Sequence, residues 1–296
     1  MGKKSITTGA RITAASLLLT VALVAFGGEA VAPAAEAPAG GFDDPGPCWV
    51  MRDKKAALLD RMFERDEFRI FYTLKDANAL PDLTDRNLNG VPDRVEDVAT
   101  QLVAAREIYS NVMGLTPPLQ TPRYAKATAI DVFLVNMGAG GGTADEVINY
   151  SASGSDKGRC VLRINLHNGN SNKNVSPAHE LFHLYQWGSS MFKPRWFMEG
   201  TARWSEHALL AAPAPEKPLP GDEAALERDF LTQVYAAGPI WNRLAILLDP
   251  VGRLNLPPSL RALTYLDGRK VVQDDELHGV VFMKMLFMEM EHLSLS

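Results

Sequence analysis

The feature that most constrains this chain is a pair of histidines four residues apart, His179 and His183, with Glu180 beside the first. Residues at this spacing project from one face of an α-helix. A helix therefore lets both imidazoles reach one metal ion, at about 2.0–2.1 Å for zinc. The segment is predicted to be a helix that presents two metal ligands.

Residues around this segment also favour a helix. Ser176 suits the N-cap, Pro177 suits the first helical position, and Gly188 suits the position just past the end. A histidine pair at this spacing also occurs in ordinary packed helices, and that interpretation stays open until a third ligand is found.

Glu199 is the candidate third ligand, on a second helix predicted to begin at Pro194. A catalytic zinc takes three protein ligands and leaves one position for water. Glu180 can reach that water and act as its general base. We therefore predict His179, His183 and Glu199 as zinc ligands and Glu180 as the catalytic residue.

The segments HELFH and WFMEGTARWSE resemble the gluzincin branch of the zincin metallopeptidases. Within that branch the chain is most similar to secreted metalloproteases of myxobacteria and related bacteria, over residues 68 to 207. The resemblance implies the same ligands and base and the hydrolysis of peptide bonds. It also implies an α+β, zincin-like fold, with a twisted mixed sheet over the HExxH helix and a mostly helical C-terminal half.

One position departs from the pattern of the best known gluzincins. Those proteins carry an acidic residue one turn after the third ligand, where it orients a ligand histidine, whereas this chain has Arg203. Glu206, two turns after Glu199, is the candidate for that orienting role.

A second metal motif is predicted in a twelve-residue loop that begins at Asp85. It resembles EF-hand-like and thrombospondin type-3 calcium loops, with Gly90 at the sharp turn. With three carboxylates, its affinity for Ca²⁺ is expected to be modest, about 10⁻⁴–10⁻³ M. The alternative is a polar turn before a helix. The predicted calcium ligands are Asp85, Asn87, Asn89, Val91, Asp93 and Glu96.

The N-terminus reads as a signal peptide over residues 1–30, followed by an Ala/Pro/Gly-rich flexible linker over 31–47. Its apolar run, about residues 12–26, is short for a membrane span, which needs about 20 residues. We therefore expect a secreted or periplasmic protein with no stable membrane insertion after cleavage. An uncleaved anchor is the alternative.

Cys48 and Cys160 are the only cysteines in the sequence. An even pair in an exported protein is read as one disulfide, the alternative being two free thiols. The mature chain is divided into an N-terminal region with the calcium-type loop, 48–120, and a metallopeptidase core with a helical C-terminal part, 121–296.

Strands are predicted over 68–74, 129–135 and 160–166, and a helix over 94–113. The third strand precedes the predicted zinc helix, so it is the candidate edge for pairing with an extended substrate, or else an interior strand. The net charge is −5, and no basic run follows the first dozen residues, so nucleic acid is not expected as a partner.

These features predict an exported zinc endopeptidase that acts on protein or peptide substrates. An alternative is an extracellular calcium-binding or adhesion module whose zinc site is structural or vestigial. A zinc hydrolase acting on another kind of bond is a third option, because the motif activates water whatever the electrophile.

Overall fold

A computed structural model describes residue 48 and residues 58–138, 141–151, 158–210 and 213–295. The predicted signal peptide, 1–30, and the predicted linker, 31–47, lie outside the described residues. No described helix is both long enough and apolar enough to cross a membrane.

The fold is α+β and contains one mixed sheet of six strands in the order β1-β2-β3-β6-β4, with β5 also paired to β6. Strands β2, β3 and β6 run parallel to one another, and β1, β4 and β5 run antiparallel to their partners. The strands are β1 Arg61–Arg65, β2 Phe68–Tyr72, β3 Ile130–Val135, β4 Gly142–Ala144, β5 Asn149–Tyr150 and β6 Cys160–His167.

Strands β2 and β3 are buried at every position, which explains why both appear in the sequence as short apolar runs. Their side chains build one part of the core, in which the rings of Phe71 and Phe133 stack with centroids 5.1 Å apart. Because β2 and β3 pair with each other, the predicted regions 48–120 and 121–296 share one sheet.

Strand β6 is an interior strand and does not form the edge that we considered for substrate pairing. It lies between β3 and β4, and β4 is the terminal strand of the order. Alternating residues report the two faces of a strand but say nothing about its neighbours in the sheet. With only three residues, β4 is too short to give a periodic signal.

The second half of the described chain is helical, and no named strand follows β6 there. A π-helical turn, Ile108–Val112, continues the helix Asp93–Glu107 to almost the end predicted from the sequence. The helices are α1 Asp93–Glu107, α2 Ser176–Ser189, α3 Arg195–Glu206, α4 Glu223–Leu226, α5 Gly238–Leu248, α6 Pro258–Ala262 and α7 Val280–Leu295.

Helix α2 carries the HExxH motif and packs against α1, α3, α7, β4 and β6. Its ends differ from the prediction. Ser176 is the first helical residue and not the N-cap, and the side-chain oxygen of Asn174 accepts a hydrogen bond from the Ser176 N–H at 2.7 Å. Gly188 lies inside the last turn, where a Cβ would come within 3.0 Å of Thr121 Cγ2, so close packing explains this glycine.

The predicted disulfide is present between Cys48 and Cys160, whose Cα atoms lie 5.7 Å apart. It attaches Cys48 to the first residue of β6, the strand that precedes α2. The described residues contain no free cysteine.

Candidate metal centre

Helices α2 and α3 bring His179, His183 and Glu199 together at one point. Oε2 of Glu199 lies 3.2 Å from Nε2 of His179 and 3.6 Å from Nε2 of His183. Two ligands bound to zinc at about 2.0–2.1 Å with tetrahedral angles lie about 3.3–3.4 Å apart. The two distances that involve Glu199 are thus close to the separation that a shared tetrahedral ion requires, and all three ligand atoms lie within 4.8 Å of one another. They form the only such group of His, Cys, Asp or Glu in the described part of the chain.

Glu206 orients the first of these histidines. Its Oε1 lies 2.8 Å from His179 Nδ1, and because a carboxylate only accepts, Nδ1 carries the proton and donates it. Nε2 is then the nitrogen that faces the centre, and it can bind a metal once it loses its own proton. Oε2 of Glu206 accepts from the guanidinium of Arg203 at 3.0 Å. Arg203, which departs from the gluzincin pattern, therefore pairs with Glu206, which contacts His179.

Gln186 performs the same task for His183 and was not predicted. Its Oε1 lies 2.6 Å from His183 Nδ1, while its Nε2 donates to Met198 O and to Thr201 Oγ1, both at 2.7 Å. These two acceptors settle which end of the amide faces the imidazole. The three-residue spacing from His183 on α2 is the sequence signal that could have identified Gln186.

Glu180, the predicted base, is buried and contacts strand β4. The N–H of Ala144 donates a hydrogen bond to its carboxylate. A Cβ on Gly142 would come within 2.6 Å of Glu180 Cγ and 2.9 Å of Oε1, so only glycine leaves room for the base. Burial raises the pKa of Glu180 above its usual value, although the neighbouring His183 and His179 oppose this shift.

Strand β4 presents an open edge beside this base. Gly141 immediately precedes β4 and Asp145 immediately follows it. Both residues form backbone hydrogen bonds with β6. The alternate residues Gly142 and Ala144 therefore direct their N–H and C=O groups away from β6. No strand among the described residues pairs with β4 on that side.

Tyr235 is a further residue at the centre that the motifs did not indicate. Its ring centroid lies 6.2 Å from that of His179, and the guanidinium carbon of Arg203 lies 5.4 Å from its ring centroid. The side chain is half-exposed, on a 3₁₀ turn before α5. Burial raises its pKa, and the charges of Glu199 and Glu180 add to this shift. Its hydroxyl therefore stays protonated at neutral pH.

The protonation of the ligands depends on their mutual contacts. Burial lowers the pKa of His179, but hydrogen bonds with Glu199 and Glu206 outweigh this effect and raise the pKa to about 9 before an ion binds. Burial raises the pKa of Glu199, but its contacts with His179 and His183 dominate and lower it. A metal ion must displace the proton shared by these groups.

Close helix packing explains the glycine that follows Glu199. A Cβ on Gly200 would lie 2.5 Å from Trp241 Cδ1 and 3.1 Å from Ala237 Cβ. The indole of Trp241 in turn stacks on Trp196 with centroids 5.7 Å apart and an interplanar angle of 7°. Gly200 thus allows α5 to approach α3 and support the helix that carries Glu199.

The predicted calcium ligands lie in a loop before α1 and make hydrogen bonds with one another. The carboxylate of Asp85 accepts from the N–H groups of Asn89 and Gly90, at 3.2 and 2.8 Å. The side-chain amides of Asn87 and Asn89 donate to Glu96 at distances of 3.0 to 3.3 Å. These contacts suit a polar turn, and calcium binding here stays a prediction.

Two predicted calcium ligands, Asp93 and Val91, differ in their surroundings. Asp93 is the first residue of α1, is buried, and accepts from the backbone N–H of Arg86 at 2.8 Å as well as pairing with its guanidinium. The N–H of Val91 donates to Asn89 Oδ1 at 2.8 Å, and Val91 itself is half-buried. To bind calcium, Asp93 would have to give up its contacts with Arg86.

Comparison with known proteins yields no match. No family model fits the chain, and no curated protein or solved structure is significantly similar to it. The resemblance to gluzincins therefore rests on the sequence of residues 68 to 207 alone, which includes the HELFH and WFMEGTARWSE segments.

Proposed function

We propose that this chain is an exported zinc endopeptidase of the gluzincin type. In this proposal His179, His183 and Glu199 hold the zinc ion, and Glu180 is the general base. The observation that carries the proposal is the convergence of three ligand atoms from two helices, at 3.2 and 3.6 Å, beside a buried carboxylate on the same helix.

The ligand set favours a catalytic zinc over a structural one. Two imidazoles and a carboxylate are nitrogen and oxygen donors of the kind that zinc binds in hydrolases, whereas structural zinc sites use four protein ligands rich in cysteine. Among the residues with described placement, the cluster holds three ligands and no cysteine. The fourth position is then available to water or substrate.

When bound, zinc lowers the pKa of a coordinated water to about 7 and polarises the scissile carbonyl. Glu180 accepts the proton from that water and delivers it to the nitrogen of the leaving amine. The hydroxyl of Tyr235 can donate a hydrogen bond to the oxyanion that forms.

The open edge of β4 suits an extended peptide as substrate. A peptide that pairs with Gly142 and with the carbonyl of Ala144, whose N–H is bonded to Glu180, would extend the sheet by one strand and pass beside Glu180. Pairing of this kind uses backbone groups on both partners, so it favours peptide over other substrates. Export is supported by the disulfide and by the predicted signal peptide.

The test is the variant Glu180→Gln, assayed on casein beside the wild type. The change removes the base and leaves all three ligands, so zinc content should be unchanged while hydrolysis falls by a factor of about 10²–10⁴. Glu227→Gln, the same change at an exposed position, should be fully active. Equal activity of Glu180→Gln and wild type would remove Glu180 from the mechanism.

The alternative adhesion module predicts a different pattern in the same experiment. The wild-type protein would then show no hydrolysis of casein or of unrelated peptides, while Ca²⁺ raised its thermal stability. Zinc content alone does not separate the two functions, so activity is the deciding readout.

A further inference from the structure

Helix α3 carries one arginine a turn before Glu199 and another a turn after it. Arg195, Glu199 and Arg203 are spaced by four residues, so the three side chains project from one face of the helix. Glu199 turns this face toward the candidate metal centre. The proposed carboxylate ligand is therefore flanked by a positive charge on each side along α3.

Two chains of contacts connect Arg203 to the centre. Its guanidinium carbon lies 5.4 Å from the ring centroid of Tyr235, which lies 6.2 Å from that of His179. Its Nη1 also donates to Glu206, which contacts His179 through its other oxygen. An extended peptide spans about 3.3 Å per residue, so the guanidinium lies within about four residues of a peptide bond held at the centre.

Both arginine side chains are accessible to a ligand. The side chain of Arg203 is 50% exposed, and only its Nη1 makes a hydrogen bond with the described residues. A guanidinium has five N–H donors, so donors remain for an anion. Arg195 is exposed and has no ion-pair partner among the residues of known placement. It is the first residue of α3, where a cation opposes the helix dipole, so helix stability does not explain it.

The charges of both arginines act on the centre. Burial raises the pKa of the Tyr235 hydroxyl, and the charges of Arg195 and Arg203 oppose this shift. Because the interaction between charges weakens with distance, Arg195 lies near enough to Tyr235 to affect groups at the centre. The negative charges of Glu180 and Glu199 would be offset by a bound divalent ion.

We propose that the centre acts on acidic peptides, and that Arg203 and Arg195 bind carboxylates of the substrate. This inference rests on the proposed endopeptidase function and names its substrate class. The carboxylates belong to Asp or Glu side chains within about four residues of the scissile bond. Each arginine binds its own carboxylate through N–H···O bonds, so the two guanidinium groups need not share one.

The test compares peptides that differ in one charge. A peptide that the wild type cuts is resynthesised with Glu, Gln or Lys at each position up to four residues from the cut. Gln has nearly the shape of Glu but no charge. At one or more positions, kcat/KM should be at least about fivefold higher for Glu than for Gln, and lowest for Lys.

Three protein variants assign the preference to the arginines. Arg195→Glu and Arg203→Gln should each lower the Glu-to-Gln ratio of kcat/KM, and Arg195→Glu should favour Lys at the position that Arg195 contacts. Each ratio is taken within one variant, so a general loss of activity through the contact of Arg203 with Glu206 cancels. Arg61→Glu, an exposed change on β1 at the far end of the sheet from β4, should keep the wild-type ratio.

Two results separate this inference from the function on which it rests. Equal kcat/KM for the Glu and Gln peptides at every position would overturn the acidic preference and leave the endopeptidase intact, as would a ratio that neither arginine variant changes. If no peptide of any charge is cut, the endopeptidase function fails and the inference fails with it.

Discussion

Nδ1 of His183 donates a hydrogen bond to Oε1 of Gln186 over 2.6 Å, and the same amide ties α2 to α3 through Met198 and Thr201. One buried side chain thus orients a proposed ligand and joins the two helices that form the centre. In other metal sites, removing such a partner of a metal-bound histidine lowers the metal affinity by about 10- to 100-fold.

Gln186→Leu should therefore weaken zinc binding about 10- to 100-fold while the three ligands remain. The reason is that the His183 ring loses its orientation and two acceptors on α3 lose their donor. Competition with a fluorescent chelator measures the affinity. Gln273→Leu, the same change at an exposed position, is the control, and equal zinc affinity in both variants would contradict this role for Gln186.

Gly142→Ala should lower kcat and leave zinc content intact. The added Cβ would lie 2.6 Å from Glu180 Cγ and 3.0 Å from Leu166 Cδ2, so either the base or strand β4 must move. We expect a loss of about 10²-fold, as for a small misplacement of a catalytic group. Gly221→Ala, where no atom lies within 4 Å of the new Cβ, should behave as wild type.

Tyr235→Phe should reduce kcat by a factor of about 10²–10³ with little change in KM, if its hydroxyl stabilises the oxyanion. The ring, which contacts His179 and Arg203, is retained in this variant. Tyr150→Phe removes a partly exposed hydroxyl elsewhere and serves as the control. An unchanged kcat in Tyr235→Phe would exclude the tyrosine from the reaction.

The stability of the protein treated with a chelator should fall as pH rises from about 6.5 to about 9. His179 has a pKa of about 9 in the folded chain against an ordinary value of 6.5, so the folded state binds more protons over this window. The free energy of unfolding then decreases with pH, by at most about 1.4 kcal/mol per pH unit for one proton.

Denaturant unfolding at several pH values measures this dependence. Zinc should abolish it, because the bound ion replaces the proton on His179. His179→Gln should show a flatter profile than wild type in the presence of chelator. If the stability of the chelator-treated wild type rises over this window, His179 does not share a proton with Glu199 and Glu206 as proposed.

Calcium should stabilise the protein if the loop from Asp85 to Glu96 binds it. With a dissociation constant near 1 mM, 10 mM Ca²⁺ would contribute about 1.4 kcal/mol, visible as a higher Tm. Glu96→Gln should remove the effect, and Glu64→Gln, on β1, should not. If Ca²⁺ leaves the Tm of the wild type unchanged, the loop is a polar turn and no more.

The sequence predicted the parts of the fold and of the site that depend on local spacing. Strands β2, β3 and β6 and helix α1 have apolar patterns of sufficient length, and the predicted bounds differ by a few residues. The four-residue spacing of His179 and His183 predicted that both side chains project from one face of a helix. Glu199 required a separate motif, because its distance from them along the chain says nothing about contact.

The residues that the sequence did not reveal reach the site through tertiary packing. Tyr235 lies on a single 3₁₀ turn and comes near His179 because α5 packs on α3. Strand β4 has only three residues, and its role as the open edge depends on its pairing with β6. Gly142 belongs to no motif, and the WFMEG motif gives no reason for Gly200, so the need for both glycines follows from the atoms that a Cβ would meet.

The most direct test of the account is anomalous diffraction from crystals of the zinc-loaded protein, recorded on both sides of the zinc absorption edge. We predict one strong peak within about 2.0–2.2 Å of Nε2 of His179, Nε2 of His183 and a carboxylate oxygen of Glu199. A map with no peak between these three side chains, or with zinc held elsewhere, would contradict the central claim.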